Sequence, residues 1–267
     1  MSIDVVAGEA VTTVTINRPD KRNALTTALY SALAEALETA ATPIVVLTGA
    51  GGTFTAGNDL GDFLAHDGSA AGDDTPVRRF QEALLATRAV VVAAVDGPAV
   101  GIGATLLLHC DLVYATERSY LQFPFTSLGL VPEYGSSFVL PRLLGPQRAA
   151  ELLLFGDRVP AVEAHRLGLV NEVLADAAAL EARVADRTAA LAAQPASSLA
   201  LTRELLRDTE NTSVRADGRG VAAFREAAAR PGDGRQPASE ARPPLPSLPK
   251  VGGNPAGRDR VRQPSPP

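Results

Sequence analysis

The stretch that decides the fold is Val90-Val91-Val92-Ala93-Ala94-Val95-Asp96-Gly97-Pro98-Ala99-Val100-Gly101-Ile102-Gly103. Its first half is an unbroken apolar run, the pattern of a strand covered on both faces. Its second half is a loop in which glycines allow tight turns and close approach of a ligand to the main chain. Residues 104–109 then read as helical. The same layout occurs earlier. Residues 44–47 form a short all-apolar strand, Gly49, Gly51 and Gly52 follow, and Thr53-Phe54-Thr55-Ala56-Gly57-Asn58-Asp59-Leu60 leads toward a helix that Asn58 or Asp59 is placed to cap. Two such junctions can aim two backbone N–H groups at one oxygen. A Gly-x-Gly pair alone is weak evidence, and neither loop is the G-x-G-x-x-G dinucleotide fingerprint.

Outward from these loops, strands and helices alternate. Residues 11–16 carry alternating β-branched positions and read as a strand, ended by Arg18-Pro19-Asp20. Thr26 or Thr27 caps a predicted helix to about Thr39, with Leu29, Leu33 and Leu37 on one face. Residues 75–87 read as a helix and 112–114 as a third core strand. From Gln147 the chain is mainly helical (149–155, 161–166, 177–193 and 197–207), with 170–174 as one more strand. The expectation is a parallel α/β core with a helical C-terminal portion.

Composition narrows the function classes. The chain has 267 residues, 46% of them hydrophobic, which is ample for a core. A net charge of −5 argues against general nucleic-acid binding. One cysteine, Cys110, excludes an internal disulfide and fits a reducing compartment. Apolar runs are too short to cross a membrane, and Met1-Ser2-Ile3-Asp4 shows no secretory pattern. These features predict a soluble cytoplasmic protein without a membrane partner. His66, His109 and His165 make no ligand spacing, so no metal is expected, and no G-x-S-x-G elbow is present.

Leu130-Val131-Pro132-Glu133-Tyr134-Gly135-Ser136-Ser137 sets a carboxylate among apolar and small residues. Two N–H donors and one carboxylate are the minimum for enolate chemistry on a carbonyl compound. Read alone, Glu133 is more simply a surface or helix-N-terminal glutamate after Pro132. Asp59 is either a base or, through backbone hydrogen bonds, a support for its loop.

The order Asn17-Arg18-Pro19-Asp20-Lys21-Arg22-Asn23-Ala24-Leu25, then Phe54-Thr55-Ala56-Gly57-Asn58-Asp59-Leu60, then residues 93–103, resembles the crotonase (enoyl-CoA hydratase/isomerase) superfamily over about residues 3–207. The resemblance implies a spiral of ββα units, assembly as a homotrimer or dimer of trimers, and an acyl-CoA thioester substrate with no separate cofactor. It implies that the thioester oxygen sits between the N–H groups of Ala56 and Ile102, with Gly57, Asn58, Asp59, Leu60, Gly101 and Phe125 around the substrate. Lys21 and Arg22 become candidates for the CoA phosphates, with a solvated pair in a turn as the alternative, and Ala24 and Leu25 for the adenine. The two glutamates of family hydratases align with Thr105 and Phe125, neither of which is a base. Residues 123–137 resemble instead the peroxisomal-type Δ3,Δ2-enoyl-CoA isomerase branch, in which the catalytic glutamate aligns with Glu133.

Beyond Arg207 the resemblance fades. Residues 231–267 hold half of the 20 prolines with little periodicity, a composition unable to offset its ordering entropy. The chain is therefore divided into a catalytic domain at 1–207 and a Pro/Gly/Arg-rich, disordered tail at 208–267.

Overall fold

In a computed structural model of the chain, the structure describes residues 2–65 and 75–207. The tail assignment at 208–267 and His66 lie outside the described residues.

The main sheet starts with the antiparallel pair β1 (Ser2–Ala7) and β2 (Val11–Asn17) and continues in parallel through β3 (Ile44–Gly49), β4 (Val90–Val95), β6 (Leu112–Thr116) and β9 (Glu172–Leu174). A smaller sheet holds β5 (Pro98–Val100), β7 (Tyr120–Gln122) and β8 (Arg158–Pro160). The chain climbs as a spiral, as expected. It runs from β4 directly into β5, and later from β6 into β7, with helices closing each turn. The turn beginning with β3 joins the small sheet through a single parallel bridge between Thr55 and Ala99.

The apolar runs explain the layering. Successive strand side chains face opposite sides, and both sides are covered. Val45, Leu47, Val91, Ala93 and Val95 face one core with α1 (Thr27–Thr39) and α3 (Pro76–Ala86). Ile44, Val46, Val90, Val92 and Ala94 face a second core with Leu180 and Val184 of α8 (Ala177–Ala192). Thr26 is the cap of α1, accepting from the Leu29 N–H at 3.4 Å. Tyr30 of α1 meets Phe80 of α3 with ring centroids 5.8 Å apart. The remaining helices are α2 (Leu60–Ala65), the four-residue α4 (Ile102–Thr105), α5 (Ser136–Leu144), α6 (Pro146–Phe155), α7 (Ala161–Arg166) and α9 (Ala196–Arg207). The helix expected at 104–109 is replaced by α4 and a 3-10 turn over Leu106–His109.

α9 is anchored by a buried charge. Arg203, 5% exposed, donates from Nε to Asp111 Oδ2 at 2.7 Å and to the carbonyls of Thr87 and Leu84. Asp111 also accepts from the Val91 N–H at 2.8 Å, so it is structural. Replacing Asp111 by Ala leaves the Arg203 cation buried without its counter-charge. Urea unfolding is expected to show a loss of roughly 3–5 kcal/mol.

Candidate active site

Residues 18–25 and 55–59 are laced together. The Ala56 N–H donates to Arg22 O at 2.9 Å, the Leu25 N–H to Gly57 O at 2.8 Å, and the Asp59 N–H to Leu25 O at 2.8 Å. The Thr55 hydroxyl donates to Asn23 O at 2.7 Å. Asn23, fully buried, bonds to Ala50 O and Thr53 O through Nδ2 and accepts from the Arg18 N–H through Oδ1. The Asp59 carboxylate pairs with Arg18 at 2.6 Å and accepts from the N–H groups of Gly61 and Asp62. The Arg18 hydrogen bond, followed by the bond from Asp62, holds its pKa below the usual carboxylate range. Asp59 is thus a loop support and a helix cap.

The second glycine loop is welded to the first. The Thr55 N–H donates to Pro98 O and the Val100 N–H to Thr55 O, both at 3.0 Å. Gly57 lies at φ +86°, and a Cβ there would stand 2.7 Å from Val100 O. No residue but glycine fits this contact without strain. One residue beyond Gly57 is Asn58, and one beyond Gly101 (φ +57°) is Ile102. Among the described residues, neither the Asn58 nor the Ile102 N–H has a hydrogen-bond acceptor. The Asn58 side chain is held from behind by the buried Tyr30 hydroxyl.

Glu133 arrives from the next turn of the spiral, between β7 and α5. Thr105 Oγ1 donates to its Oε1 at 2.5 Å, and Gln81 Nε2 of α3 to its Oε2 at 2.9 Å. Burial pushes its pKa above the usual carboxylate range, and the two hydrogen bonds only partly oppose that. Its backbone is fixed as well. Glu133 O accepts from the Ser136 N–H and hydroxyl, Tyr134 O lies 2.7 Å from His109 Nε2, and the Tyr134 and His109 rings stand 4.1 Å apart.

These groups open on one cavity of about 940 Å³. Lys21, Ala24, Ala56, Gly57, Asn58, Asp59, Leu60, Gly101, Ile102, Phe125 and Glu133 all line it. Three expectations are corrected. Ala56 cannot offer its N–H, because Arg22 O already takes it. The unpartnered amide of that loop belongs to Asn58. Leu25 is not at the cavity but in the core, 1% exposed, and Arg22, an exposed left-handed turn residue (φ 52°), does not line it either. Gln81 went unnoticed in the sequence, since a lone Gln on an amphipathic helix carries no pattern. The Asn58 donor did carry a signal: in both loops the free amide follows a glycine of positive φ.

A family model described as enoyl-CoA hydratase/isomerase matches residues 7–229. The chain belongs to that family. The match runs past Arg207, into the region assigned to the tail. Among relatives of this family, the enoyl-CoA delta isomerase 2 of Rattus norvegicus is 39% identical over 219 residues, covering 79% of this chain and 56% of its own length. The chain therefore spans little more than half of that relative. The 1,2-epoxyphenylacetyl-CoA isomerase of Escherichia coli is 34% identical over 77% of this chain and 82% of its own. A crystal structure of an enoyl-CoA hydratase/isomerase from Pseudoalteromonas atlantica superposes with a TM-score of 0.73 at 38% identity, covering 86% of this chain and 93% of that one.

The weld between the loops predicts the outcome of one small change. Gly57→Ala adds a Cβ against Val100 O at a positive φ and should cost about 1–3 kcal/mol of stability. Urea unfolding measures that loss.

Proposed function

We propose that the chain is an enoyl-CoA isomerase, moving a double bond from C3 to C2 of an acyl-CoA thioester with Glu133 as its single acid–base group. The observation that carries this reading is one partly buried carboxylate on the same cavity as two unpartnered backbone N–H groups. The protons at C2 of a 3-enoyl thioester are acidic, being flanked by the carbonyl and the double bond. The Glu133 carboxylate takes one, and the electron pair spreads onto the thioester oxygen as a dienolate. The Asn58 and Ile102 amides hold that oxygen, and each such donor typically stabilises the transition state by about 3–4 kcal/mol. Glu133 then returns the proton at C4, leaving the double bond at C2. No water and no cofactor enter the balance.

The other cavity carboxylates do not compete for this role. Asp59 is paired with Arg18, and Glu82 is an exposed partner of Arg78. Hydration, the alternative family reaction, needs a second carboxylate to activate water, and among the described residues the others that line this cavity, Asp59 and Glu82, are ion-paired. Lys21 and Ala24 are at the wall suited to the CoA end. A homotrimer or dimer of trimers accords with apolar side chains left open on α5 and α6, namely Phe138, Leu154 and Phe155, between 50% and 70% exposed. Sedimentation velocity should give a mass of three or six chains, and a monomer would refute the assembly.

Incubation with 3-enoyl-CoA should yield the 2-enoyl isomer, and incubation with 2-enoyl-CoA should add no water. Hydration without isomerisation would reject the assignment, and thioester binding without turnover would make the protein a non-catalytic acyl-CoA binder. Glu133→Gln should lower kcat at least about a hundredfold with binding nearly unchanged. The base form of Glu133 is required, so kcat/KM should rise as pH climbs through its elevated pKa and level off above it.

A further inference from the structure

Of the α3 residues that line the cavity, Val77, Gln81 and Leu85 form one row at i, i+4 and i+8 in which only the central member is polar, beside a charged row of Arg78 and Glu82. A partly buried amide on an otherwise apolar stripe is costly unless hydrogen-bonded. We propose that Gln81 is a positioning residue for Glu133, holding the carboxylate in one orientation toward the cavity and favouring its charged form. This rests on the reading of Glu133 as the proton shuttle.

Gln81 is tied to the Glu133 segment twice. Its Nε2 donates to Glu133 Oε2 at 2.9 Å, and its backbone carbonyl accepts from the Tyr134 hydroxyl at 2.8 Å. The helix and the Glu133 segment are therefore cross-linked through one residue. Thr105 holds the other oxygen, Oε1, and its hydroxyl also lies 3.3 Å from Ile102 O.

The two contacts behave differently when the proton arrives. A hydroxyl can donate or accept. Once Glu133 is protonated on Oε1, Thr105 can accept from it and turn its own hydrogen to Ile102 O. The Gln81 amide nitrogen only donates, so its bond to Oε2 persists in both protonation states. Gln81 thereby keeps the carboxyl aimed while the proton is carried from C2 to C4. A bond to the charged form is stronger than one to the neutral form, so losing it shifts the balance toward the acid.

The other titratable groups around Glu133 are Tyr30 from α1 and Tyr134 from its own segment, whose ionisation its charge opposes. Lys21, Asp59, Arg78 and Glu82 also line the cavity.

The test compares the full chain with Gln81→Met, Gln81→Asn and Glu133→Gln, using 3-hexenoyl-CoA. Gln81→Met should lower kcat about tenfold and move the acid limb of kcat/KM up by about 1 pH unit. KM should stay within about twofold. Gln81→Asn, shorter by one methylene, should behave likewise and serves if the Met variant fails to fold. Independently of turnover, the carboxyl stretch in infrared spectra, assigned by its loss in Glu133→Gln, should titrate at higher pH in the Gln81 variants. A wild-type limb together with a wild-type carboxyl titration in both Gln81 variants would overturn the positioning role. If Glu133→Gln turns over at the wild-type rate, the shuttle reading fails and the positioning role built on it falls too; an inactive Glu133→Gln beside unshifted Gln81 variants rejects the positioning role alone.

Discussion

The site depends on a parallel bridge one residue long. Thr55 pairs with Ala99, giving its N–H to Pro98 O and its carbonyl to the Val100 N–H. With its hydroxyl on Asn23 O, the same residue joins both glycine loops to the Arg18–Leu25 segment. This contact brings Gly57 against Val100 O at a distance no side chain tolerates. Among the described residues, the amides that follow Gly57 and Gly101 are left without acceptors on the same cavity. Preorganised donors of this kind need no reorientation when charge develops on a substrate oxygen.

The spiral then repeats itself. Asn58 follows the Thr55 bridge, Ile102 follows β5, and Glu133 follows β7 by a longer segment. Each functional group thus leaves the small sheet on a successive turn. The carboxylate's setting is a balance of burial against two donors, and burial prevails. A glutamate so placed holds its proton more readily than one in water while remaining oriented, which suits a group that must both take and return it.

Much of the core was legible, for a plain reason. Residues 44–47 and 89–95 are apolar without interruption, and runs this short, rich in β-branched residues and followed by glycine, fit strands covered on both faces. The strands β5, β7 and β8 were not legible, because three residues carry no period. α5 was missed because Pro141 lies inside it and its start follows a left-handed Gly135. At the site, the glycines and Glu133 stood out, while the burial of Leu25 and the clamp made by Arg22 did not. A carbonyl that clamps a neighbouring loop, as at Arg22, has no side-chain signature.

The sequence by itself determined the covered parallel strands, the two loops that need glycine, and the presence of one carboxylate in an apolar setting. These follow from local sterics and from hydrophobic burial, which residue identity largely decides. Only the tertiary structure decided which amides stay unpartnered. Hydrogen-bond acceptors come from segments distant in the chain, so Ala56 loses its N–H to Arg22 while Asn58 keeps its own. The tertiary structure likewise brought Gln81 and Thr105 to the two oxygens of Glu133, across 52 and 28 residues of sequence. Pairings at that separation depend on how the helices and turns pack, which no local pattern encodes.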